Sequence, residues 1–207
     1  MNYLGFFLLI AVITIAYIVT RTAANSNKYT ERKTKEFFSR ESEANTVRRA
    51  DISGLPYISI PFDTLPLSKV SETEHPELVK QLQNLSDAKI LNLSMYTNTD
   101  LKMMYGPANL EDLSVCDDNY TTLIRTLDAM GDALINANQS DAAIVILEYA
   151  ISIDSDITRT YMNLGKLYQE SGNEESFRNL IKKSRTITSL SGKTIPSLLY
   201  SIKSDKK

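Results

Sequence analysis

The stretch "LDAMGDALINANQSDAAIVILEYAISID", residues 127–154, recurs in outline as "YMNLGKLYQESGNEESFRNLIKKSRTIT", residues 161–188, after a shift of 34 places. Gly131 then falls on Gly165, Met130 on Leu164 and Leu127 on Tyr161. Self-similarity at such a period marks stacked units, because one helical hairpin cannot bury its apolar face alone. Tyr120, Leu123, Ile124, Leu127, Met130 and Leu134 recur at steps of three and four, which predicts a helix apolar along one stripe and capped near Asp117 or Asp118. A turn follows at 138–141, then a helix over 142–153 with Ile146, Leu147, Ala150 and Ile151 inward. The pair returns as a helix over 158–171 and another over 174–188. Gly172 and Asn173 serve as stop and cap, and the acids of the second helix's first turn suit its dipole.

Two hairpins with this period and a small residue at the crossing resemble tetratricopeptide repeats, residues 124–157 and 158–191. The large, apolar, small and aromatic positions of that pattern's first helix fall on Leu127, Met130, Gly131 and Leu134, then on Tyr161, Leu164, Gly165 and Tyr168. Glycine belongs there because a side chain would hold the two helices apart. The second helices place Ala143, Leu147 and Ala150, then Phe177, Ile181 and Ser184, at the small, large and small positions, with Phe177 standing where alanine is usual. The whole chain is also similar to membrane-anchored repeat proteins of Gram-positive bacteria.

Residues 3–20, "YLGFFLLIAVITIAYIVT", hold no charge. A helix of that length rises about 27 Å, close to the thickness of a bilayer's hydrocarbon core. Its eleven large apolar residues favour insertion by about 3 to 7 kcal/mol in total. The following "RTAANS" offers small residues of the cleavage-site kind, but no Lys or Arg precedes the run and it exceeds the usual signal core, so a retained anchor is expected. Arg21, Lys28, Arg32, Lys33, Lys35 and Arg40 follow the run and none precedes it, which places the C-terminal bulk in the cytoplasm.

Charge is uneven beyond the anchor. Residues 21–50 hold 8 basic and 4 acidic side chains, 51–120 hold 4 and 11, and 121–207 hold 11 and 10. The first stretch reads as a short charged stalk. Pro56 and Pro61 within "ISGLPYISIPF" suggest an extended strap lying against the domain rather than a central strand. Pro76 opens a helix carrying Leu78, Val79, Leu82 and Leu85, and "NTDLKMMYGP" reads as another, stopped by Gly106. Both are expected to cap the repeats, since two units bury too little surface alone. At the far end Ile195, Leu198, Leu199 and Ile202 form a closing helix.

The expected class is therefore mainly α. A transmembrane helix (1–20) and stalk (21–50) precede a helical capping region with its strap (51–120), then two repeats with a closing helix (121–207). A net charge of −2 leaves no basic surplus for nucleic acid. One cysteine, Cys116, and one histidine, His75, cannot build a thiolate or imidazole zinc cluster. No phosphate-cradling loop or nucleophile motif occurs, so neither enzyme activity nor a cofactor or metal is expected.

The repeat resemblance implies a groove lined by the first helices that binds a peptide or helix of a partner protein. Its candidate residues are Arg125, Asp128, Asp132, Arg159, Met162, Asn163, Lys166 and Gln169. Some repeat domains of this kind hold a C-terminal carboxylate with Lys and Asn, but Asp128 and Asp132 occupy two of the required positions. The expected role is a single-pass membrane scaffold or assembly factor. The alternative is an envelope-assembly or sensory module outside the cell.

Overall fold

The computed structural model of the chain describes residues 3–187 and 192–204, with side chains for all of these except 3–11, 13, 23–27, 203 and 204. The protein is mainly helical, with 69% helix and, among the described residues, no strand. It forms two compact units, Met1–Ala50 with Asn98–Ala108, and Asp51–Thr97 with Asn109–Lys207.

The first unit is built on α1, Tyr3–Ala44, a single helix of 42 residues. Residues 21–44, read above as a short stalk, continue it without a break. The side chains of 3–11 and 13, on which the expected anchor chiefly rests, lie outside the described residues. Among the described residues no helix is long and apolar enough to cross a membrane. α4, Asn98–Tyr105, was expected to cap the repeats but packs against the end of α1. The reason is polar: Arg40 bonds Asp100 at 2.6 Å, and the Glu41 carboxylate accepts from Thr99 at 2.7 Å and pairs with Lys102. Beyond the turn, the Ala50 amide donates to the Tyr105 carbonyl at 3.0 Å. Gly106 ends α4 at φ +83°, and a Cβ there would stand 2.6 Å from the Arg48 carbonyl oxygen, so both conformation and space require glycine.

The second unit begins with the extended segment of residues 52–62. Ile58 donates its amide to the Ile90 carbonyl at 2.9 Å, and the Tyr149 hydroxyl reaches the Ser59 carbonyl at 3.2 Å. Ile60 and Leu65 are buried in the core. Two short helices, α2 (Leu67–Ser71) and α3 (Glu77–Gln83), lay Val70, Leu78 and Leu82 against α5. α5 spans Leu110–Asn136, beginning well before the expected cap at Asp117 or Asp118. Leu113 and Cys116 carry the buried stripe backwards, while the Asp117 carboxylate accepts the Leu93 amide at 2.9 Å instead of capping a helix.

α6 (Ser140–Ser152), α7 (Thr158–Glu170) and α8 (Glu174–Ser184) follow, each packed against its predecessor, and α5 also touches α7. α9 spans Ile195–Ser204 after a 3-10 turn at Gly192–Thr194 and lies against α7 and α8. The 34-residue step runs through all of them. α5 and α7 end at Asn136 and Glu170, α6 and α8 begin at Ser140 and Glu174, and α9 packs on α7 as α7 packs on α5. The closing helix therefore repeats the first helix of a hairpin, a relation the sequence reading missed. Its signal was present, because a further shift puts Ile195 on Tyr161 and Ile202 on Tyr168.

The crossing glycines differ in what they accommodate. A Cβ on Gly131 would lie 2.8 Å from Leu147 Cγ, which packs a large side chain of α6 onto α5. One on Gly165 would meet Leu199 Cδ2 at 2.8 Å, with Phe177 Cε2 and Ile202 Cδ1 both at 3.3 Å. The buried Phe177 ring occupies part of the space over Gly165 that a side chain there would take.

Candidate partner-binding face

α5 and α7 lie side by side because the stripe of Leu123, Leu127, Met130 and Leu134 and that of Tyr161, Leu164 and Tyr168 share one core. The candidate groove residues sit on these two helices. The shift of 34 superposes Arg125 on Arg159, Asp128 on Met162 and Asp132 on Lys166.

Asp128 is only 4% exposed, and its carboxylate is fully engaged. Arg159 donates to Oδ2 through Nε at 2.9 Å and through a terminal nitrogen at 2.6 Å, and the Thr160 hydroxyl donates to Oδ1 at 2.8 Å. Arg159 also lies 3.7 Å from Asp132, which accepts a long 3.4 Å bond from the Asn163 amide. The bonds to Asp128, followed by the nearby carboxylate charges, raise the Arg159 pKa against the opposing effect of burial. Asp128 thus joins two helices rather than offering free acceptors, which removes it from the surface that sequence reasoning assigned it. A buried carboxylate needs such donors, because left unpaired it would carry a large desolvation penalty.

What remains on the face is a mixed polar surface. Arg125 and Lys166 are exposed and make no ion pair among the described residues, Arg159 keeps about half its side chain in water, and Met162, Asn163 and Gln169 are half-buried. The arrangement can present the Arg125 and Lys166 cations to a polar segment. Among the described residues no group of three His, Cys, Asp or Glu side chains comes together as a metal site would require. Burial pushes the Cys116 thiol pKa up, which disfavours the nucleophilic thiolate. His75 is at the surface with Nδ1 3.1 Å from Glu77.

The sequence reading did not single out a cleft of about 280 Å³ between α6, α7 and α8, floored by Ile151, Leu164, Tyr168 and Leu180. At its edge the Tyr168 hydroxyl donates to Glu148 at 2.5 Å, and Lys183 pairs with Asp154 at 2.5 Å. No spacing in the sequence announces it, because its walls come from three helices that each contribute ordinary core positions.

Comparison of the chain with protein-family models, with curated proteins and with solved structures finds no match.

Proposed function

We propose that the protein is a membrane-tethered scaffold or assembly factor, with a tetratricopeptide-like stack that binds a peptide or helix of a partner protein along α5 and α7. The observation that carries this reading is the in-register pairing of those helices, clasped by Asp128 and Arg159, with Arg125 and Lys166 left exposed beside the clasp. A face whose internal charges are already matched holds its shape, so the exposed Arg125 and Lys166 cations can meet a ligand without rearrangement of the clasp.

Residues 3–20 act as the anchor. Val12, Ile15, Tyr17, Ile18 and Val19 are each 58–63% exposed and are distributed around the helix, a pattern suited to lipid on every side rather than to one packed face. Arg21, which donates to the Tyr17 hydroxyl at 3.2 Å, supplies the aromatic and basic pair favoured at a membrane interface. The basic residues beyond it put the repeats in the cytoplasm, where tethering confines the search for a partner to a thin layer.

The test is co-purification from detergent-solubilised membranes. Arg125→Glu with Lys166→Glu should lose companions that the native chain retains, whereas an unchanged set would refute the groove. A C-terminal reporter active only in the cytoplasm checks the orientation separately.

A further inference from the structure

The end of α1 shows what a neighbouring helix does for this element. Over its last turns Arg40 faces Asp100 of α4, Glu41 faces Lys102, and Ala44 is fully buried. The preceding turns are different. Arg21, Lys28, Arg32 and Lys35 follow at steps of seven, four and three, so at about 100° per residue they fall within roughly 60° of arc. The side that meets α4 is nearly opposite. All four cations are exposed. Lys28 and Lys35 have no ion pair among the described residues. Arg32 has a 3.5 Å contact with Glu36, both side chains being more than half in water, and lies over the Tyr29 ring at 5.9 Å. Like charges three and four apart repel along a helix, and Glu31 and Glu36 at the same spacings offset that repulsion only in part, since four cations stand beside two carboxylates.

We propose that this stripe docks an acidic helix of another protein, whose carboxylates meet Arg21, Lys28, Arg32 and Lys35 as Asp100 meets Arg40. A lipid surface fits less well, an exclusion that rests on the anchor reading above. Along one continuous helix Lys28, Arg32 and Lys35 stand roughly 12, 18 and 22 Å beyond Thr20, whereas the attraction of anionic headgroups fades over about 8 Å at physiological salt. The headgroup layer adds about 6 Å beyond the hydrocarbon edge, so Arg21 and Lys28 lie within reach of it, while Arg32 and Lys35 do not. Tyr29, Phe37 and Phe38 are exposed on three different sides, which leaves no apolar face to lie on a bilayer. A second copy alongside would set like stripes together.

The full chain in nanodiscs of neutral lipid is titrated with a helical peptide carrying glutamates at the mirrored spacing, and with the same peptide carrying glutamines. Binding is expected for the glutamate peptide alone. It should weaken by about tenfold or more in the variant Lys28→Gln, Arg32→Gln, Lys35→Gln and at raised salt. Lys33→Gln, off the stripe, should leave it unchanged. Equal binding of both peptides, binding of neither, or an equal loss in Lys33→Gln would overturn the proposal. So would a chain that ignores the peptide but binds vesicles containing phosphatidylserine in proportion to the same lysines, because the stripe would then read lipid.

Discussion

Where α5 meets α7, Asp128, Asp132, Arg159, Thr160 and Asn163 form a polar clasp; where α7 meets α9, the positions 34 further along hold Met162, Lys166, Lys193, Thr194 and Ser197, with no carboxylate among them. The second junction is held by apolar contact, with Leu199 and Ile202 closing over Gly165. One register thus serves two chemistries. A buried carboxylate admits a single alignment, because any slip leaves it without donors, whereas an apolar contact penalises small shifts less steeply. The outer face of α9 differs from the corresponding face of α7. Thr160, Leu164 and Leu167 of α7 are buried, but their counterparts Thr194, Leu198 and Ser201 are exposed, and the last is polar where α7 has leucine.

The largest effect should come from the apolar junction. Leu199 is fully buried, and Leu199→Ala should lower stability by about 3 kcal/mol in urea unfolding. Hydrogen exchange should show the loss concentrated in α9 and the adjoining face of α7. A uniform loss across α5 and α6 as well would mean that the junctions are not separable. The clasp comes next. Asp128→Ala leaves Arg159 and Thr160 without their acceptor, and because Arg159 is half in water the expected loss is about 2 kcal/mol rather than that of a fully buried pair. A cycle with Arg159→Ala should show clear coupling, while Met162→Ala, at the equivalent place in α7, should cost less than Asp128→Ala. The opposite order would undo the distinction between the two junctions.

Much of this was legible in the sequence, and the reasons are local. Helix type and phase follow from apolar spacing, so the hairpins and the glycine crossings could be read from Leu127, Gly131, Tyr161 and Gly165. The burial of Asp128 could not, because it depends on Arg159 and Thr160 arriving from a helix more than thirty residues away. The same holds for α4, whose partner is fixed by Glu41 and Arg40 rather than by its own stripe. Asp117 misled for the reverse reason. Its cap-like chemistry is real, but the donor is the Leu93 amide, supplied by tertiary structure.

Gly165→Ala tests the apolar junction more finely. Alanine is favoured over glycine within a helix by about 1 kcal/mol, but the new Cβ would stand 2.8 Å from Leu199 and force it aside. The net effect in the native chain should be a loss of about 1 kcal/mol. In a Leu199→Ala background the closest obstruction is gone and only the 3.3 Å approaches of Phe177 and Ile202 remain, so the same substitution should become neutral or stabilising. A loss of equal size in both backgrounds would assign the role of Gly165 to Phe177 and Ile202, each 3.3 Å from the same point.

The smallest effect belongs to the α1–α4 contact, a second polar clasp. Hydrogen bonds from Lys102 and then Thr99 hold the Glu41 carboxyl below its ordinary value of 4.5. A carboxyl depressed in the folded state contributes stability above its unfolded pKa and loses it as pH falls through the folded one. The contact should therefore be at full strength at neutral pH and loosen in acid below the ordinary carboxylate range. The Ala50 amide, bonded to the Tyr105 carbonyl, reports on it directly. Its hydrogen exchange, corrected for the intrinsic rate, should lose protection on acidification in the native chain. In Glu41→Gln it should be less protected at neutral pH and show little further change, because the group that titrates has been removed. If both chains lose protection in parallel, the acid sensitivity lies elsewhere, and α4 is held to α1 by its backbone bond and the burial of Ala44 rather than by charge.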